Sequence, residues 1–235
     1  MADDNNDAIP VVTIQANIVL EPFTATMTAR VRHNFALQHL LAAARTSRNV
    51  GEIERANAGK EFGEFFEEMI GYSVACVTSA VAGLEAYVNE LFADRAKYMA
   101  SVQAEIADRL WELSEQRSIL DKFDSALVAL GSPQLDRGIR PTQDVVALVR
   151  LRNGLVHFKP EWDDERRAHA TLSDLLIGKF SGSPYHKNEG LFPVRWICHE
   201  ATRWAVNSAT LFIADFESRA KIEPRWDHKQ TRLQP

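Results

Sequence analysis

Apolar residues recur at intervals of three and four over most of this chain, and the clearest stripe is Val74, Val77, Val81, Leu84, Val88 and Leu91. That spacing places them on one face of a helix, and no proline interrupts 59–98, so one long helix is predicted there. Before it, Val31, Phe35, Leu37, Leu40 and Leu41 predict a helix over about 28–48. After it come shorter helices at about 102–113 and 115–130, the second carrying Ile119, Phe123, Leu127 and Leu130 and stopping at Gly131 and Pro133. The stretch Gly138 to Pro141 opens the next helix, which is expected to run to about Phe158, since the residue before Pro160 disfavours helical backbone. A short helix over 164–178 follows, and 181–190, rich in Gly, Ser, Pro and Asn, reads as an exposed loop. The last long helix is expected from near Pro193, with Ile197, Ala201, Trp204, Leu211 and Phe216 on it.

The N-terminus follows a different period. Over 11–20, Val12, Ile14, Ala16, Ile18 and Leu20 alternate with Thr13, Gln15 and Asn17, the pattern of a half-buried strand. A single strand leaves its backbone groups unpaired, so its partner is either 22–27 in a hairpin or a second copy of the chain. The fold class expected is therefore all-α, a helical bundle with a short N-terminal β-strand or hairpin. Its organisation is an extension over 1–27, a bundle over 28–222 and a charged, frayed tail over 223–235.

Composition changes this picture little. With 46% apolar residues in 235, the chain can bury a core of its own. Apolar runs such as 73–81 are broken by polar residues well short of the roughly 20 that span a bilayer, and the acidic start Met1 to Asp7 lacks a secretory signal's cationic and apolar segments. A cytoplasmic protein without a membrane span is expected. Cys76 and Cys198 lie in apolar helical settings and read as small buried hydrophobes.

Charge matters more. A formal net charge of −5 argues against a broad nucleic-acid surface. Locally the sign reverses: between Arg137 and Lys159 the cations Arg137, Arg140, Arg150, Arg152 and Lys159 face one acid, Asp144. That segment can attract an anion.

Inside it the helix carries Arg150-Leu151-Arg152-Asn153-Gly154-Leu155-Val156-His157. This resembles the signature of the HEPN superfamily, an Arg, a polar residue, three variable residues and a His, and Arg152, Asn153 and His157 match all three specified positions. Leu84 to Leu91 with Glu85 and Asn89, Lys122-Phe123, and a late Trp-bearing helix are also similar to that group, so the likeness covers roughly 60–215. The resemblance implies a helical bundle that dimerises and joins two motifs in a composite cleft. It implies RNA cleavage without a metal or other cofactor, by attack of the substrate 2′-hydroxyl to leave a 2′,3′-cyclic phosphate. The residue types suit that chemistry independently: a histidine passes protons near neutral pH, and an arginine holds a phosphate. Arg150 and Lys159 are candidate substrate-binding residues, and Glu85, Asn89 and Lys122 candidate supporting ones.

Helical angles complicate the assignment. Asn153 and His157 share a face with Arg150, opposite the core-facing Leu148, Leu151, Leu155 and Phe158. Arg152 falls in the apolar arc completed by Val145, Val149 and Val156, and a charge there needs a partner, for which Glu85 is the candidate. Arg152 therefore either contacts phosphate or braces the helix while Arg150 meets the anion; a break at Gly154 would change these angles.

Other signals are set aside. Cys198-His199-Glu200 lacks a second ligand pair at helical spacing; Glu61, Glu64, Glu67 and Glu68 read as a solvated face; Trp196 and Trp204 as packing; and Tyr185, His186 and Lys187 as ordinary loop residues. No Gly-rich phosphate loop and no Gly-x-Ser-x-Gly elbow is present. Two functions remain in view. One is a homodimeric endoribonuclease of defence or toxin type, acting on RNA and restrained or activated by an antitoxin or regulatory protein. The other is a catalytically silent HEPN-like module for dimerisation, sensing or effector binding.

Overall fold

The long apolar stripe becomes α2 (Phe65–Ala93), the helix around which the rest is arranged. The structure is a computed structural model, and it describes residues 31–100, 102–162 and 167–235. Within them the chain is all-α: α1 (Ala36–Ala56), α2, the one-turn α3 (Arg95–Tyr98), α4 (Ala104–Ser114), α5 (Ile119–Ala129), α6 (Thr142–Val156), α7 (Arg167–Leu176) and α8 (His199–Ala220). No strand occurs among the described residues, and the strand or hairpin expected within 11–27 lies outside them.

α1 and α2 form an antiparallel pair, with α5, α6 and α8 laid against α2. Gly83 makes the pairing close, because a Cβ there would lie 2.8 Å from Leu40 Cγ. α2 is also long and apolar enough, by length and composition alone, to cross a membrane, with a mean hydropathy of 1.4 over its most apolar window. Reading only unbroken apolar runs missed this. Its place in the bundle accounts for its composition: neighbours cover several faces, burying Met69, Cys76, Val77, Leu84, Tyr87 and Leu91 completely.

Two helix starts differ from the predicted ones because a distant side chain sets them. α1 starts at Ala36 and not near 28, because Glu90 Oε1 on α2 accepts the backbone N–H groups of Phe35 and Ala36, each at 2.7 Å. A carboxylate there satisfies otherwise unpaired donors and complements the positive helix end. α8 starts at His199 and not near Pro193, because Glu54 Oε2 on α1 accepts the His199 N–H at 2.8 Å. α5 is capped locally, by the Ser118 hydroxyl accepting the Asp121 N–H.

The segment after α8, expected to fray, is held instead. Arg225 pairs with the second oxygen of Glu90 at 2.9 Å, both side chains being almost wholly buried, and its guanidinium lies over the rings of Tyr87, Tyr98 and Trp226. Glu217 accepts from the Tyr87 hydroxyl at 2.9 Å and from the Arg225 N–H at 3.2 Å, and burial raises its carboxyl above the usual range. Residues 227–233 then form a 3-10 turn against α1. The 181–190 segment is likewise docked. Ser183 is buried, Tyr185 donates its hydroxyl to the Asn57 carbonyl at 2.9 Å, and the Tyr185 and His186 rings pack on Phe66.

Arg225→Ala strands the Glu90 carboxylate in the core, and we expect a stability loss of about 3 kcal/mol in urea unfolding. Burial pushes the Cys76 and Cys198 thiols each up to about 12, so native protein should resist a thiol-specific reagent at neutral pH that labels both cysteines in denaturant. Fast native labelling of either would contradict the burial described.

Candidate functional site

Val145, Leu148 and Leu151 carry α6 into the core at spacings of three, so the helix presents its other faces to α7 and to solvent. It runs unbroken through Gly154. A Cβ at that position would meet Leu172 Cδ2 of α7 at 2.7 Å and the Phe192 ring at 3.4 Å, so the glycine permits close approach. The helix ends at Val156, not Phe158. His157 is its C-cap, with non-helical φ/ψ of −109° and 37°, and its N–H donates to the Asn153 carbonyl at 2.9 Å.

This places the motif residues differently from one another. His157 is exposed at the helix end, Asn153 is half-buried one turn earlier, and Arg150 and Lys159 are exposed. Arg152 is half-buried, and its Nε is enclosed without a hydrogen-bond partner among the described residues. The expected Glu85 partner is engaged elsewhere: Lys122 Nζ of α5 lies 3.2 Å from Glu85 Oε1 and 3.2 Å from Asn89 Oδ1. Glu85, Asn89 and Lys122 thus come together as a clamp between α2 and α5, with Lys122 buried, and Arg152 is not part of it.

The basic stretch divides in two. Arg137 is held by Asp124 and, at 3.8 Å, Asp121, while Arg140 stands 3.7 Å from Asp144. Arg150, Arg152 and Lys159 form no ion pair among the described residues. The cations of this stretch without an ion pair among the described residues are therefore Arg150 and Arg152, in the last two turns of α6, and Lys159, just past its end.

Sequence reasoning missed what shapes the segment after His157. His169, on the first turn of α7, is 6% exposed, and its Nε2 is 3.0 Å from the Lys159 carbonyl. Its backbone N–H donates to Glu161 Oε2 at 3.2 Å, and its ring stacks on Phe158 and meets Phe192 edge-on. One histidine thereby pins the three residues Phe158, Lys159 and Glu161 to α7. No periodicity marked it, since its contacts are ring and carbonyl contacts with an irregular segment.

The features set aside fall where packing explains them. Trp196 is buried and donates to the Pro193 carbonyl, Trp204 packs on Phe180, and Glu61, Glu64, Glu67 and Glu68 are exposed. Among the described residues no group of three or more His, Cys, Asp or Glu side chains is arranged to hold a metal ion. A groove of about 530 Å³ opens away from the motif, between α6's N-terminal end, Phe180 and α8.

No family model matches the chain, and no curated protein or solved structure matches it significantly.

His199 provides a pH test. Burial, and then the nearby Arg203 and Arg55, lower its pKa below 6.5 against the opposing pull of Glu54 and Glu200. The unfolded chain therefore binds the proton more readily than the folded one, and stability falls as pH drops below about 6.5. Thermal midpoints at pH 7.5 and 5.5 should fall further apart for wild type than for His199→Gln; equal falls would remove the assignment.

Proposed function

We propose that this chain is a metal-independent endoribonuclease of the HEPN type, working on RNA as a homodimer in the manner of a defence or toxin enzyme. The observation that supports it most is the coincidence over the last two turns of one helix and the residues just past it: exposed His157, the cations Arg150, Arg152 and Lys159 without ion pairs among the described residues, and Asn153 one turn back. The three motif positions, Arg152, Asn153 and His157, stand complete in an all-α chain.

In this reading His157 takes the proton of the substrate 2′-hydroxyl. The 2′ oxygen then bonds to phosphorus, the bond to the 5′ oxygen breaks, and that oxygen takes a proton from the second imidazole of a dimer cleft. The products are a 2′,3′-cyclic phosphate and a 5′-hydroxyl, with no cofactor required. Arg150 and Lys159 draw in the backbone, and Arg152 offsets charge on the phosphorane from the helix side. Asn153 orients the histidine. An antitoxin or regulatory protein covering this helix end is the natural means of restraint.

A second reading is favoured by one observation: Arg152 is half-buried and its Nε is enclosed, so that nitrogen is closed to a phosphate. The chain would then be a silent HEPN-like module for dimerisation, sensing or effector binding.

Incubation with structured RNA in excess EDTA separates the two. We expect cleavage that survives EDTA, leaves cyclic phosphate ends, and drops roughly 100- to 10,000-fold in His157→Ala. No cutting, or equal cutting by both proteins, leaves only the silent module.

A further inference from the structure

The buried charges beside Tyr87 do not balance. Glu90 and Glu217 are 9% and 6% exposed, and the cation that acts on both, Arg225, is committed to Glu90 Oε2 at 2.9 Å. Glu217 receives only neutral donors, the Tyr87 hydroxyl and the Arg225 backbone N–H, and both meet its Oε1. Oε2 has no donor among the described residues. Burial, and then the nearby Asp227 charge, hold the Glu217 carboxyl above its usual range against the pull of Tyr87 and Arg225. A buried carboxylate without a counter-charge of its own is costly, so the position is suited to a cation from outside the chain.

Glu217 lines a pocket of about 340 Å³ between α1, α8 and the C-terminal segment, a volume within the range of small-molecule sites. Leu40, Ile213, Trp226 and Leu233 give it apolar walls. The charged residues on its lining are Glu217 from α8 and the exposed Asp227 from the 3-10 turn, and among the described residues no lysine, arginine or histidine lines it. Asp227 accepts from the neutral Gln230 amide at 3.3 Å and forms no ion pair among the described residues. Two carboxylates from two elements thus border an apolar interior with one aromatic wall. That arrangement suits an ammonium carried on a small apolar body and disfavours an anion.

We propose that this pocket binds an arylalkyl ammonium, its charged nitrogen at Glu217 and Asp227 and its ring against Trp226 and Leu233. The site is independent of His157 and of the ribonuclease reading. Isothermal titration of the full chain with phenethylamine, phenethyl alcohol and hydrocinnamate tests it, since the three share a ring and differ in charge. We expect the amine to bind, the alcohol to bind at least roughly tenfold more weakly, and the carboxylate to give no measurable heat. Asp227→Asn, at an exposed position, should weaken amine binding roughly fivefold. Glu217→Gln keeps an oxygen for Tyr87 and the Arg225 N–H, and should weaken it at least roughly tenfold. His157→Ala should bind the amine as wild type does. Absence of heat with the amine, alcohol or carboxylate binding as tightly as the amine, undiminished binding in Asp227→Asn or in folded Glu217→Gln, or binding lost in His157→Ala would each overturn the proposal.

Discussion

A single buried carboxylate, that of Glu90, sets the terms for much of the bundle. A charge in a core is tolerated only when its hydrogen-bonding capacity is filled, and Glu90 fills it from three places: the Phe35 and Ala36 N–H groups and the Arg225 guanidinium. Those partners belong to the start of α1 and to the segment after α8. Glu54 repeats the device by capping α8 from α1. Each cap joins elements far apart in sequence, so the ends of the helices are fixed by the packing of others.

This explains what was legible in the sequence and what was not. The Val74 to Leu91 stripe gave α2 because its cause is local, and the Ser118 cap and Gly131, with its positive φ of 68°, bounded α5 for the same reason. The start of α1, the start of α8 and the order in the tail depend on Glu90, Glu54 and Arg225, whose partners lie 54 to 145 positions away. Composition also misread 181–190, since its Gly, Ser and Pro content describes a turn-rich path and not whether aromatic rings pin it down.

The motif on α6 was legible as residue types at a spacing, and its geometry only in part. At 100° per residue Arg152 falls toward the apolar arc, and it is half-buried there. His157 lies one residue past the helix end, where the angle of 100° per residue no longer applies. Glu85 and Asn89 serve Lys122 because a buried ammonium competes for the same acceptors, which spacing on a single helix does not reveal. His169 gives the region after His157 its fixed course, and Gly154 lets α7 come close enough for it to do so.

The reach of Glu90 bears on the order of synthesis. Arg225 leaves the ribosome 135 residues after Glu90, so a growing chain carries the carboxylate without its cation over all of that stretch. The α1–α2 pair can form meanwhile, since the two N–H groups at the head of α1 precede Glu90 in the chain. The segment that carries Arg225 can close over the ion pair only after that stretch has been made. A nascent or shortened chain lacking Arg225 presents quality-control machinery with a helical pair bearing an open acidic notch, a surface that the completed protein conceals.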